Sequence, residues 1–159
     1  MNAEYDWARL NPLQVGRFAE YFIKMKCALY AFDIYSSEVD DKGIDFILRV
    51  DASSYYDIQV KSIRSNGYIF FPKWNFTPRH NLYAAVVVLV QGQEPDCYLI
   101  PSMAWANENA LFRNRDYGEG LKSKPEWGLN ISQKNMPLLG EYSFANVVPT
   151  LRKSTDFDE

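Results

Sequence analysis

The apolar run LYAAVVVLV, residues 82–90, constrains the fold more than any other stretch of this chain. It is rich in valine and free of charged residues, which favours a buried strand at the centre of a sheet. The run is too short to span a bilayer, which takes ~20 apolar residues in a helix. The strand predicted here, Tyr83–Val90, is followed by the polar segment QGQEPD and a second strand, Cys97–Pro101. The chain is therefore expected to be organised around a β-sheet.

The size and composition of the chain predict a single folded domain, residues 1–159. Hydrophobic residues make up 47% of the sequence, which is enough for a core and argues against global disorder. The formal net charge of −3 argues against a protein that coats nucleic acid through many Lys and Arg side chains. An enzyme that grips a phosphate backbone in a local groove is still compatible with this charge.

The N-terminal segment and the cysteines predict a cytoplasmic protein without a membrane segment. MNAEYDWARL has no apolar stretch of the kind found in secretory signals. Cys27 and Cys97 are far apart and lack the spacing of a metal site, so both are expected to be small buried hydrophobes in a reducing compartment. His80 is the only histidine, which excludes a nuclease or metal site built from several histidines.

A helix and a series of strands are predicted before the apolar run. Asn11 and Pro12 have the order of an N-cap followed by proline in the first turn, and apolar residues recur at helical spacing over residues 12–30. The predicted strands that follow are Asp33–Val39, Gly43–Val50, Tyr55–Arg64 and residues 68–72, with the turn DDKG before the second. After the sheet we predict a short helix at Met103–Arg113 and a frayed tail, RKSTDFDE. The pattern weakens from Asn114 onward, where DYGEGLKSKPEWG is predicted to be an irregular loop.

Three polar side chains interrupt two neighbouring predicted strands, KGIDFILRV and YYDIQVKSIR. They are Asp45, Gln59 and Lys61, and they stand among Ile44, Phe46, Leu48, Ile58 and Val60. Side chains alternate across a strand, so Gln59 and Lys61 share one face. The short break DASS suits a hairpin that brings Asp45 beside them.

This arrangement resembles the signature of the PD-(D/E)XK nuclease superfamily. It stands here as Asp45 followed by Gln59-Val60-Lys61, with Glu20 in GRFAEYF on the preceding helix. The Q-x-K variant is similar to that of Mrr-type restriction endonucleases and some resolvase-like nucleases. The resemblance covers about residues 12–90. It implies an α/β, restriction-endonuclease-like core, in which an N-terminal helix is followed by a mixed central β-sheet flanked by helices.

The resemblance implies a Mg²⁺-dependent DNA endonuclease, with Mn²⁺ as a substitute ion. Asp45 would be the central metal ligand, and Gln59 and the Val60 carbonyl would add further hard oxygens. Glu20 would serve a second ion, and Lys61 would position the nucleophile and stabilise the transition state. The implied partner is DNA, with branched or damaged DNA among the candidate substrates, and the family often acts as homodimers.

Each of these residues also has a simpler interpretation. Asp45 can pair with Arg49, Lys61 can be a solvated lysine, and Glu20 can pair with Lys24 one helical turn later. The neutral Gln59 weakens a metal site and is also what a decayed site would carry. The alternative function is therefore a catalytically inactive nuclease-fold module that binds nucleic acid or a protein partner, as an immunity protein or antitoxin does.

The segment YIFFPKWNF interleaves aromatic residues with a lysine, a pattern that suits base stacking beside a phosphate contact. A strand that buries alternate aromatic residues would look the same, so most of these rings are expected in the core. The residues predicted to contact nucleic acid are Lys73, Trp74, Arg64 and Arg79.

Overall fold

The computed structural model describes residues 3–39 and 42–152. Its strands are β1 (Asp33–Tyr35), β2 (Phe46–Arg49), β3 (Tyr55–Arg64), β4 (Gly67–Pro72), β5 (Leu82–Leu89), β6 (Asp96–Pro101), β7 (Phe112–Arg115) and β8 (Glu126–Ile131). Its α-helices are α1 (Pro12–Leu29), α2 (Met136–Gly140) and α3 (Phe144–Leu151). Short 3-10 turns occupy Ala3–Tyr5, Trp7–Arg9 and Ser102–Ala106.

The main sheet is mixed and has five strands in the order β1-β2-β3-β5-β6. The central pair, β3 and β5, runs parallel, whereas every other neighbouring pair in this sheet is antiparallel. The predicted hairpin of β2 and β3 is present, and so is the predicted pair of β5 and β6. The predicted α/β class with a mixed central sheet is confirmed.

Helix α1 begins where the sequence predicts and covers one face of the main sheet. The Asn11 side chain accepts from the Gln14 backbone N–H, and the Gln14 side chain accepts from the Asn11 N–H, both at 2.9 Å. This capping box satisfies two backbone donors at the helix start. The helix buries an apolar stripe at intervals of four residues against the sheet: Val15, Ala19, Ile23 and Cys27. Helix α3 packs into the same core.

A second, three-stranded sheet in the order β4-β8-β7 covers the opposite face of the main sheet. Three aromatic rings pack against each other between the two sheets, with centroid distances of 4.6 Å for Phe71–Phe76, 5.3 Å for Phe71–Trp105 and 5.4 Å for Phe76–Trp105. The Trp105 indole N–H donates to the Gly128 carbonyl at 2.8 Å, so this buried polar group is satisfied. The main sheet is thus enclosed by helices on one side and by strands on the other.

The prediction of a helix at Met103–Arg113 was wrong. A single 3-10 turn, Ser102–Ala106, is followed by strand β7. The Asn109 carboxamide oxygen accepts from the backbone N–H groups of Leu111 and Phe112, both at 2.8 Å, and this Asx-type turn redirects the chain into the strand. The predicted irregular loop DYGEGLKSKPEWG lies between β7 and β8, although its last three residues, 126–128, belong to β8. Helices α2 and α3, which follow β8, have no counterpart among the predicted elements.

Two predictions fall wholly or partly outside the described residues. The tail RKSTDFDE begins at Arg152, and its other residues are not described; residues 40 and 41 of the predicted turn DDKG are likewise outside. Within residues 3–39 and 42–152, no helix is long and apolar enough to cross a membrane. The single-domain organisation stays a prediction.

Candidate functional site

Strand β2 begins with an irregular step at Asp45. The register pairs Phe46 with Ile58, yet the Asp45 backbone N–H also donates to the Ile58 carbonyl oxygen, at 2.9 Å. Two residues of one strand therefore oppose a single residue of the other, which is the arrangement of a β-bulge. A bulge bends its strand and re-aims a side chain, so Asp45 does not follow the simple alternation expected from the sequence.

Beyond this bulge the backbone pairing of β2 with β3 ends, and the Asp45 carboxylate makes the next hydrogen bond to β3. Its Oδ2 accepts from the Val60 backbone N–H at 2.6 Å. Backbone groups alternate along a strand, and both the Ile58 carbonyl and the Val60 N–H point toward β2. The Val60 carbonyl therefore points toward β2 as well, at the edge where the β2–β3 register has ended. The sequence thus brings a carboxylate and a backbone carbonyl to the same edge.

The Gln59 side chain is buried on the sheet face that the small sheet covers. It is 6% exposed and pairs in register with Ala84 of β5, which belongs to the core between the two sheets. Its Oε1 is buried and has no hydrogen-bond partner among the described residues. Leaving a buried polar oxygen without a partner costs ~1–3 kcal/mol. Five other described residues also have a buried polar atom without a partner, and Gln59 differs from them in lying beside Lys61 on β3.

Lys61 lies next to Gln59 on the same face of β3 and pairs in register with Val86. Its ammonium nitrogen is 5.8 Å from the ring centroids of both Phe70 and Phe71 on β4. Burial lowers the pKa of Lys61, and the negative charge of Asp45 acts in the opposite direction. Asp45 and Lys61 are therefore close enough to interact electrostatically, as the hairpin predicted.

Asp57, the remaining polar residue on this face of β3, has a structural role. Its Oδ2 lies 2.5 Å from Arg79 Nη2, in an ion pair that ties β3 to the segment before β5. Its backbone N–H donates to the Asn81 carbonyl at 2.7 Å. The ion pair accounts for both Asp57 and Arg79 without a ligand, in contrast to Gln59.

Glu20 lies on α1, the helix that packs on the other face of the sheet from Gln59 and Lys61. Its carboxylate is 3.1 Å from Lys24 Nζ and 3.8 Å from an Arg17 guanidinium nitrogen. The alternative pairing of Glu20 with Lys24 is therefore present. A group shared by Glu20 and β3 can lie only at the strand edge, where Asp45 leaves the ladder.

The Asp45 edge also contacts the loop after β4, a neighbour that the strand pattern did not reveal. Gly43 has φ +72°, and a Cβ there would lie 2.7 Å from the Asn75 side-chain nitrogen. The turn before Asp45 therefore requires glycine for its conformation and for close packing against Asn75. The glycine in KGID was a sequence signal for a tight turn before Asp45, but nothing in the sequence identified Asn75 as the residue packed against it.

The four predicted nucleic-acid contacts differ in their surroundings. Trp74 is 73% exposed. The Arg64 guanidinium donates to the Trp7 and Leu10 carbonyls at 3.0 and 2.8 Å. Lys73 Nζ lies 2.8 Å from Asp116 and 4.2 Å from the centroid of the Trp127 ring. Arg79 is held by Asp57, so the three cations already have protein partners, whereas the Trp74 ring is open.

The donor set at the Asp45 edge fits a hard divalent ion. It consists of carboxylate, carboxamide and carbonyl oxygens, the ligands that Mg²⁺ prefers. The unpartnered Gln59 Oε1 is the atom that such an ion would satisfy. Within the described ranges no group of three or more His, Cys, Asp or Glu residues could hold a metal ion, so an ion here would depend on the Gln59 carboxamide and the Val60 carbonyl as well as Asp45.

Neither a family model nor a curated protein sequence matches the chain. Solved structures do match. A Holliday junction resolvase, Hjc, from the archaeal hyperthermophile Archaeoglobus fulgidus superposes with a TM-score of 0.54 at 11% identity, over 87% of this chain and 98% of the resolvase. A bacterial homing endonuclease superposes with a TM-score of 0.51 at 15% identity, over 87% of this chain and 91% of the endonuclease. The chain therefore has the restriction-endonuclease-like fold.

Proposed function

We propose that this protein is a Mg²⁺-dependent DNA endonuclease with its site at the edge where β2 leaves β3. The observation that carries the proposal is the buried, unpartnered Gln59 oxygen beside Lys61, next to the Asp45 edge. A protein stabilised by packing alone would gain from apolar residues at these positions. The two structural relatives, a Holliday junction resolvase and a homing endonuclease, support a nuclease.

In this proposal Asp45, Gln59 and the Val60 carbonyl hold the ion, with Glu20 contributing a further carboxylate from α1. The chemistry supplied by the bound ion is neutralisation of phosphate charge and activation of a water. The Val60 N–H fixes the orientation of the Asp45 carboxylate through its hydrogen bond. Lys61 donates to the attacking water or to the phosphate oxygens, whose charge increases in the transition state. The rings of Phe70 and Phe71 restrict the Lys61 side chain and exclude water from one side of it.

DNA is held by the surface around this edge. Trp74 is the proposed contact already open to solvent, whereas Lys73, Arg64 and Arg79 would exchange carbonyl or carboxylate partners for phosphates. Each chain would have one active site, so cutting both strands of a DNA duplex would take two chains. We therefore keep the homodimer as a prediction. A cytoplasmic location also remains a prediction.

A catalytically inactive nuclease-fold module is the second candidate, and Gln59 is the observation that favours it. A neutral carboxamide attracts a cation less strongly than a carboxylate does. Most members of the superfamily that this chain resembles carry a carboxylate at this position. Such a module would bind nucleic acid or a protein partner without cutting. The two candidates make opposite predictions for metal-dependent cleavage.

Nicking of supercoiled plasmid and of branched DNA in Mg²⁺ and in Mn²⁺ tests the proposal. We expect wild type to nick, and Lys61→Ala to reduce the rate by roughly 10²–10³-fold, which is typical for the loss of one transition-state donor. Lys134→Ala, at an exposed loop lysine, is the matched control and should nick as wild type does. Circular dichroism would establish that Lys61→Ala remains folded. Equal nicking by wild type and Lys61→Ala would exclude the catalytic role of Lys61.

A further inference from the structure

An open aromatic groove lies on the outer side of the small sheet. It is lined by Phe70, Pro72 and Trp74 together with residues 123–126. Phe70 is 52% exposed and Trp74 is 73% exposed, whereas Phe71 between them is fully buried. The groove has a volume of about 380 Å³, within the ~300–1,000 Å³ of small-ligand sites. We call it the Phe70–Trp74 groove.

The Phe70–Trp74 groove begins at the candidate active site. The Phe70 ring centroid lies 5.8 Å from Lys61 Nζ, so Phe70 contacts both the groove and the proposed catalytic lysine. A DNA segment whose phosphate lies at Lys61 therefore has its neighbouring bases within reach of these rings. The groove can be occupied by the same substrate that the site would cut.

The charges in the groove suit a nucleic acid. Lys124 also lines the groove and can pair with a phosphate. Glu126 is the groove's acidic residue. One of its carboxylate oxygens accepts from the Tyr117 hydroxyl at 3.1 Å, and the other is buried without a hydrogen-bond partner in the described part of the chain, so neither is exposed toward a phosphate in the groove. The groove therefore offers flat aromatic surface beside a cation, which is the combination that binds single-stranded DNA through base stacking.

The chemistry of the groove selects unpaired bases over a regular duplex. Both faces of a base inside a duplex are covered by its neighbours, so an aromatic side chain can stack only on a base that has left the helix. We propose that the Phe70–Trp74 groove binds an unpaired nucleobase next to the scissile phosphate, so that the substrate is DNA with unpaired nucleotides, such as a gap or a flap. This inference rests on the proposed nuclease function and specifies its substrate.

A duplex carrying one unpaired 2-aminopurine, whose fluorescence falls when the base stacks, is a direct probe of the groove. We expect wild type in Ca²⁺, used so that the DNA stays uncut, to quench this probe and to bind it more tightly than the fully paired duplex. Phe70→Ala and Trp74→Ala should each weaken binding to the unpaired probe by about 5- to 150-fold, the loss corresponding to ~1–3 kcal/mol of stacking. Binding to the paired duplex should change much less.

Tyr55→Ala is the matched control. Tyr55 is 46% exposed and lies on the same strand as Lys61, six residues earlier and ~20 Å away along the strand. This variant should keep both the quenching and the preference. Equal binding of the paired and unpaired probes by wild type would overturn the inference. The same result is expected if the groove binds a protein segment instead of DNA. Retention of the preference by Phe70→Ala and Trp74→Ala would overturn it as well.

The binding assay separates this inference from the nuclease proposal, because it needs no cleavage. If wild type nicks DNA but shows no preference for the unpaired probe, the nuclease proposal stands and the stacking inference fails. Wild type could instead prefer the unpaired probe, with the preference lost in both variants, yet never nick DNA in Mg²⁺ or Mn²⁺. The groove would then be supported as a binding site, and the nuclease proposal would fail.

Discussion

Strands β3 and β5 are neighbours at the centre of the same sheet, yet their sequences differ in kind. They run parallel in register, with Gln59 opposite Ala84 and Lys61 opposite Val86. All the residues of β5 except Tyr83 are buried and apolar. On the face it shares with these β5 residues, β3 carries an ion-paired aspartate, a buried glutamine with an unpartnered oxygen, and a lysine whose pKa is lowered by burial.

Burial explains part of this difference, because most residues of β3 are only partly buried whereas β5 is buried almost throughout. It does not explain Gln59, which is buried like its β5 neighbours and is nevertheless polar. An apolar strand such as β5 stabilises the fold, since each Å² of apolar surface that it buries contributes ~25 cal/mol to the free energy of unfolding. Burying Gln59 and Lys61 has the opposite effect. Under the proposed function β5 serves the core and the polar residues of β3 serve the site, so the two strands should respond oppositely to substitution.

Truncation in β5 should give the largest change in stability. Leu82 is 1% exposed and lies in the core between the two sheets. Leu82→Ala should lower the free energy of unfolding by about 2–5 kcal/mol, because it removes buried methyl groups and leaves a cavity. Urea denaturation followed by circular dichroism measures this. A loss below about 1 kcal/mol would mean that β5 is not the packed centre described here.

Adding a charge to β3 should be the next largest effect, and it should depend on metal. Gln59→Glu places a second carboxylate near Asp45, and without metal the buried charge should lower the free energy of unfolding by about 2 kcal/mol. Burial and the charge of Asp45 raise the folded-state pKa of this new carboxyl, so the loss is full above that pKa and disappears below the unfolded value of ~4.3.

Mn²⁺ decides what the Gln59→Glu result means. A carboxylate attracts a divalent ion more strongly than a carboxamide does, so Mn²⁺ should restore the melting temperature of Gln59→Glu and raise it more than that of wild type. Gln133→Glu, at an exposed loop position, is the control and should show no such dependence. A loss of stability that Mn²⁺ fails to reverse would indicate a nuclease fold that no longer binds metal.

Replacing the polar group of β3 by an apolar one should raise stability. Gln59→Met keeps the length of the side chain and removes the unpartnered oxygen, so the free energy of unfolding should rise by about 1 kcal/mol while nicking is lost. Gln133→Met is the exposed control, with a change near zero. A substantial destabilisation by Gln59→Met would show that the glutamine serves packing, and the contrast between β3 and β5 would lose its meaning.

Glu20 should give the smallest effect on stability. Its ion pair with Lys24 is partly exposed and lies on one helix, so Glu20→Gln should lower the free energy of unfolding by only ~0.3–0.5 kcal/mol. Its effect on nicking should be much larger if Glu20 serves the ion. Nicking equal to wild type by Glu20→Gln would assign Glu20 to the helix surface alone and would confine the site to β2 and β3.

Local patterns were enough to predict the N-terminal half of the fold. Asn11 and Pro12 start α1, and the alternation around Ile58 and Val60 specifies a strand with one apolar face. The small sheet could not be predicted in this way, because β4 pairs with β8 between segments more than fifty residues apart, as Phe71 and Trp127 show. Pairing at that distance leaves no local signal beyond a short alternation.

The residues of the candidate site were named from the sequence and their role stays a prediction, but their geometry could not be predicted. The pattern named Asp45, Gln59 and Lys61, whereas the bulge that turns Asp45 toward the Val60 N–H depends on backbone hydrogen bonds. The contacts of Lys73 could not be predicted either, because Asp116 and Trp127 belong to distant segments of the sequence. The exposure of Phe70 was not predicted, although Ile69 and Phe71 on either side of it are buried as alternation along β4 requires, because a run of aromatic residues hides that alternation in the sequence.

Anomalous diffraction from crystals soaked in Mn²⁺ tests most directly whether the polar row of β3 is a metal site. We predict an anomalous peak at the edge where β2 leaves β3, with Asp45 and Gln59 oxygens at roughly 2.2 Å, between the distances typical of Mg²⁺ and Ca²⁺. The peak should be absent from crystals of Asp45→Asn treated in the same way. A wild-type map without a peak at Asp45, in crystals where Mn²⁺ binds exposed carboxylates elsewhere, would contradict the assignment of β3 to a metal-dependent nuclease site.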